Sequence, residues 1–107
     1  MVPAAEGRVK IKRDKNNNYA ITLKVIRLTK PERLQPPKDH YVVWMETAHN
    51  GIKNIGKLES KSGFLSKTLK STLVTVTPFK PTRFFITAED NAAVQYPGGP
   101  VTLRTEP

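Results

Sequence analysis

With 107 residues the chain has room for one hydrophobic core and none for a second domain. Its hydrophobic content of 37% is lean beside 25% charged residues, but the apolar residues recur periodically, which excludes a disordered chain. The absence of cysteine excludes a disulfide framework, thiolate metal sites and a cysteine nucleophile, and a formal net charge of +9 favours adhesion to polyanions.

The first residues, Met1 to Glu6, read as a short flexible leader of the kind left when an export signal is removed, and residues 7–107 as a single domain. No apolar run approaches transmembrane length. From Gly7 to Arg13 the pattern alternates strictly, Val9 and Ile11 against Arg8, Lys10 and Lys12, as in a half-buried strand. Asp14 to Asn18 is turn chemistry, since asparagine tolerates left-handed backbone. The return strand puts Tyr19, Ile21, Leu23 and Val25 on one face with Thr22 and Lys24 on the other. The apolar phase then moves to Ile26 and Leu28, which predicts a bulge or a switch between sheets. The prolines at 31, 36 and 37 make the following stretch a crossover loop, with Leu34 as its anchor.

The run Asp39 to Thr47 holds Tyr41, Val42, Val43, Trp44 and Met45, the only Trp among them, and is the central strand. Neither face is uniformly polar, so both are expected to be covered, with Trp44 as core anchor filling the space between two sheets. Asn50-Gly51 predicts a two-residue hairpin turn, and Ile52, Ile55 and Leu58 the partner strand, with a bulge or close approach at Gly56. Ser60 to Gly63 is a second turn. A strand is expected from Phe64 through about Ser71, then a turn or short helical piece, because Leu65, Leu69 and Leu73 recur at helical spacing. Arg83 to Ala88 is a strand, Glu89-Asp90-Asn91 a turn, Tyr96 to Pro100 a tight loop, and Val101 to Arg104 the last strand. These elements predict an all-β fold, an immunoglobulin-like antiparallel β-sandwich of about seven strands.

No constellation of catalytic residues emerges. His40 and His49 lack neighbouring carboxylates at metal-binding spacing; Ser60, Ser62, Ser66 and Ser71 lack a nucleophile-elbow context; Glu89 and Asp90 read as turn residues; Gly98-Gly99 lacks the lysine of a phosphate loop. No enzyme activity, cofactor or metal is expected. The basic residues are spread along the chain, which fits a solvated lysine-rich surface as well as a polyanion contact, for which Lys10, Lys12 and Lys24 are the candidates. A single-stranded nucleic-acid binder, a basic β-barrel-like domain stacking bases on Tyr19, Phe84 and Phe85 beside Lys24 and Arg83, is the alternative.

Across residues 7–104, Tyr41-Val42-Val43-Trp44-Met45, then Gly51, Ile55-Gly56-Lys57-Leu58, Gly63, Phe85-Ile86-Thr87-Ala88-Glu89 and Pro97-Gly98-Gly99-Pro100-Val101 form a series. It resembles the C-terminal extracytoplasmic domain of anti-sigma-K-type factors, and the chain is also similar to small lipoproteins of the Bacteroidetes. The resemblance implies an exported, non-enzymatic β-sandwich of the cell envelope, periplasmic or outer-membrane-anchored, with a lipid anchor on the native N-terminus as an option. The partner it implies is another envelope protein or an anionic surface, met by a binding or sensing role.

Overall fold

The computed structural model describes residues 6–29, 31–35, 37–58 and 68–105. Among them are seven strands and no α-helix: β1 (Glu6–Arg13), β2 (Tyr19–Thr29), β3 (His40–Thr47), β4 (Ile52–Lys57), β5 (Thr68–Thr77), β6 (Pro81–Glu89) and β7 (Val101–Thr105). They form two antiparallel sheets, β1-β2-β5 and β4-β3-β6-β7, packed as a sandwich. The fourth strand joins β3 instead of completing the first sheet, so the split is three and four, the reverse of an immunoglobulin constant domain.

Asp14 closes the first hairpin by accepting at Oδ1 from the backbone N–H groups of Asn16 at 2.8 Å and Asn18 at 3.0 Å, while Asn17 takes the left-handed position at φ 64°. Glu6, expected in the leader, is part of β1 and lies opposite Ile26. The phase change in β2 is a bulge: the register with β5 shifts between Val25 and Leu28, around Arg27 at φ 59°. Leu34 packs on the core as expected, after a 3-10 turn at Pro31–Arg33.

Two elements differ from expectation. The Asn50-Gly51 turn is not a two-residue turn. Thr47 N–H donates to the Gly51 carbonyl at 3.0 Å, enclosing three residues, and only Gly51 is left-handed, at φ 74°. The Thr47 hydroxyl supports the loop by accepting from the Asn50 N–H at 2.8 Å. The stretch after Ser71 is not a turn or helix but the second half of β5, which runs unbroken to Thr77. Its pattern is mixed: Leu73 packs on the core, but Val74 and Val76 are exposed while Thr75 is half-buried and Thr77 buried, so apolarity marks both faces. The expected turn at 60–63 and the strand start at Phe64 lie outside the described residues, as do residues 1–5.

The space between the sheets is filled by Ile21, Leu23, Val25 and Leu28 from β2 against Tyr41, Val43 and Met45 from β3 and Phe84, Ile86 and Ala88 from β6. The Tyr41 hydroxyl donates to the Thr29 carbonyl, which satisfies its polar end inside the sandwich. On β3 it is therefore the odd positions that face the other sheet.

Candidate basic face and the capped opposite face

The outer face of the β1-β2-β5 sheet collects the even-numbered positions of its strands. Pairing sets Arg8 opposite Lys24 and Lys24 opposite Thr72; Lys10 opposite Thr22 and Thr22 opposite Val74; Lys12 opposite Ala20 and Ala20 opposite Val76. The three sequence candidates Lys10, Lys12 and Lys24 thus share one face, and all are exposed. Arg8 joins them from β1, and exposed Lys70 from β5, where it shares the alternation of Thr72. Arg8 was legible in the alternation of β1; Lys70 was not, because only the pairing of β5 with β2 brings it onto this face. Among the described residues none of these five cations has an ion-pair partner, and the nearest acid on β1, Glu6, is engaged with Arg27 at 3.4 Å. The five cations share one two-dimensional array, with Lys24 directly opposite Arg8, and form a positive field that salt screens but no acid among the described residues cancels.

The outer face of the four-stranded sheet is built differently. Trp44 is fully buried, as expected of an anchor, but it does not lie between the sheets: it is an even position of β3 and clusters with Val42 and Phe85 on the outer face, beneath Ala92 and Val94 of the segment joining β6 to β7. Trp44 and Phe85 stack with centroids 6.4 Å apart and planes 17° from parallel, and the Arg104 guanidinium sits 5.8 Å from the Phe85 ring centroid. The Trp44 Nε1–H donates to Thr87 Oγ1 at 2.7 Å, and the Thr87 hydroxyl donates to Glu89 Oε2 at 2.6 Å. The same Oε2 accepts the backbone N–H groups of Gly98 and Gly99, each at 3.0 Å. From β4, Asn54 Nδ2 donates to the carbonyls of Ala92 at 3.0 Å and Val94 at 2.8 Å. Segment 90–100 is thereby fastened over the indole from both ends.

Glu89 is therefore a buried strand residue holding this segment, not a turn residue. Burial pushes its carboxyl pKa up, but the Thr87 hydroxyl, the Gly99 and Gly98 N–H groups and the nearby Lys38 ammonium outweigh that and hold it below its ordinary value. With a folded pKa below the unfolded one, its stabilisation is full above the unfolded pKa and is lost as pH falls through the folded pKa. Glu89→Gln is expected to cost about 2 kcal/mol at neutral pH. In urea titrations across pH, the gap between wild type and variant should close on acidification. A gap independent of pH would show that the charge is not what holds the segment.

Comparison with protein families, curated proteins and solved structures returned no match. His40 begins β3 and His49 lies in the loop beyond its other end, so the two histidines are not brought together. Glu89 and Asp90 diverge as well, Asp90 pairing with Lys38 at 3.6 Å while Glu89 turns under the glycines. Of the rings proposed for base stacking, Phe84 and Phe85 are buried and Tyr19 is half-buried, with Arg13 5.4 Å from its centroid. An open cleft of about 470 Å³ between β4 and the capping segment is lined by Ile52, Lys53, Asn54, Gln95 and the 81%-exposed Tyr96. The Asn54 amide is already committed, bonding the capping segment through Nδ2 and accepting the Gly56 N–H at Oδ1 at 2.9 Å.

Proposed function

We propose that the chain is a non-catalytic β-sandwich module that docks onto an anionic macromolecular surface through the outer face of the β1-β2-β5 sheet. The observation that supports this reading is the gathering of Arg8, Lys10, Lys12, Lys24 and Lys70 on that one exposed face without acidic partners among the described residues. A cell-envelope setting, with an envelope protein or anionic surface as partner, is part of the proposal and rests on the resemblance to anti-sigma-K-type extracytoplasmic domains. Single-stranded nucleic acid is the less favoured partner: a stacking platform needs open aromatic faces, and Trp44, Phe84 and Phe85 are all buried.

Flat arrays of lysine neutralise charge without reading detail, so binding to heparin or single-stranded DNA should be indifferent to sequence. If all five cations engage a single strand, the slope of log K against log salt should be roughly −3.5, which is about a hundredfold loss of affinity over a fourfold rise in salt. Replacing Lys10, Lys12 and Lys24 together by glutamine should bring the slope to roughly −1.5 while leaving the unfolding midpoint nearly unchanged, because all three side chains are exposed. An unchanged slope in the triple variant, or a sequence-selective complex that persists at physiological salt, would reject this face as the contact.

A further inference from the structure

Four strands form sheet edges in this sandwich, and three of them are blunted. β1 carries Arg8, Lys10 and Lys12 at three of its four outward positions, and its Gly7 carbonyl accepts from Thr105 Oγ1 at 3.3 Å. β4 is six residues long, is interrupted by a bulge at Gly56, and carries Lys53 and Lys57. β7 is five residues long, follows Pro100, and bears Arg104. Short length, bulges, lysines and proline are the devices by which sheet edges avoid pairing with other chains.

β5 has none of them over residues 71–77. It is a ten-residue strand that pairs with β2 on one side and, among the described residues, with no strand on the other. The run Ser-Thr-Leu-Val-Thr-Val-Thr contains no charge, proline or glycine, and is rich in the β-branched residues that favour strands. On its outward face Val74 is 68% exposed and Val76 57% exposed, the only large apolar side chains among the described residues of that sheet left so open.

We propose that β5 is the edge through which two copies of this chain join, antiparallel, into one continuous six-stranded sheet. The occupant follows from charge and from the other edges. The uncharged run 71–77 laid antiparallel on its own copy with the register centred on 74 opposes valine and threonine to valine and threonine, and leaves Lys70 of each copy just outside the paired run. The lysines of β1 lie two strands away in each copy, beyond the pairing seam. The edges of β1, β4 and β7 resist strand addition, so a second copy has its own β5 to offer, and a contact of β5 with β5 is two-fold and closes at a dimer. The two-fold axis stands perpendicular to the sheet, which leaves the outer faces of both copies, with Arg8, Lys10, Lys12 and Lys24, on the same side. Dimerisation does not depend on those lysines binding anything.

Sedimentation equilibrium of the whole chain, from low micromolar to millimolar concentration at physiological salt, tests the proposal. The wild type is expected to pass from monomer to dimer and no further. Val74→Lys puts like charges across the seam on a side chain that is exposed in the monomer, and should raise the dimer dissociation constant at least about tenfold. Thr72→Lys, also exposed on β5, should act in the same direction, whereas Thr22→Lys adds the same charge in the same row on the middle strand and should leave the constant within about twofold of wild type. Circular dichroism establishes that each variant is folded. A wild type that stays monomeric throughout, or a dimer that Val74→Lys and Thr72→Lys leave untouched, would overturn the proposal. A synthetic peptide of residues 71–77 mimics the second copy and should shift the wild type toward monomer, so a dimer that an excess of this peptide leaves untouched would overturn it as well.

Discussion

Trp44→Ala is expected to be the most destabilising single substitution, at roughly 3–5 kcal/mol, a large share of the stability a domain of this size can have. The indole is fully buried, stacks on Phe85, underlies Ala92 and Val94, and donates to Thr87, so alanine leaves a cavity and removes the hydrogen bond that begins the chain to Glu89 and the two glycines. Urea unfolding followed by circular dichroism should show a lower midpoint with little change in slope. The position of the cavity adds a second expectation. Because the indole lies under segment 90–100 and not between the sheets, limited proteolysis of the folded variant should accelerate within that segment, while the β2, β3 and β6 contacts between the sheets persist. Trp44→Phe keeps an aromatic ring beneath the segment, loses the N–H donor, and should cost about 1 kcal/mol.

Gly99→Ala comes second, at about 3 kcal/mol, and separates the capping segment from the rest of the fold. A Cβ at Gly99 would stand 1.7 Å from the Ala88 carbonyl oxygen and 2.9 Å from its carbon. Ala88 cannot yield, because it sits within β6 opposite Tyr41 of β3 and is itself fully buried. The segment must lift instead, breaking the two N–H bonds to the ionised Glu89 and wetting Trp44. As the chain has one Trp, its emission reports this directly: short-wavelength and shielded from acrylamide in the wild type, red-shifted and quenchable in Gly99→Ala. Gly98→Ala is the control. Its nearest atom is Glu89 Oε1 at 3.5 Å, an ordinary contact, and the substitution should stay within about 1 kcal/mol of wild type with unchanged emission.

Much of the sandwich was legible because its strands alternate. The pattern of Val9 and Ile11 against Arg8, Lys10 and Lys12, the phase change at Ile26, and the breaks at Pro31 and Gly56 all correspond to observed features. The side of Trp44 was not legible. Alternation establishes that Val42 and Trp44 share one face and Tyr41, Val43 and Met45 the other, but when both are apolar it does not say which the second sheet covers and which a loop covers. The second half of β5 was not legible because Leu65, Leu69 and Leu73 recur at helical spacing and the stretch carries valines outside and threonines beside Leu73 inside, so no face stands out as apolar. Glu89 was misread because an acid beside Asp90 and Asn91 has the local chemistry of a turn. Only the two glycine N–H groups nine and ten residues further on make it a buried anchor. The basic face was half legible: single strands show which lysines share a side, but only the pairing of β1, β2 and β5 sets Arg8 beside Lys24 and brings Lys70 onto the same surface.

If anionic partners meet the outer face of the β1-β2-β5 sheet and not the capped face, a titration of isotope-labelled protein with a short heparin oligosaccharide, followed by amide chemical shifts at low salt, will locate them there. The largest shifts are expected at Arg8, Lys10, Lys12, Thr22, Lys24 and Lys70, fading together as salt is raised. Shifts concentrated instead at Lys53, Asn54, Gln95 and Tyr96 would place the contact in the cleft beside the capping segment and contradict the account.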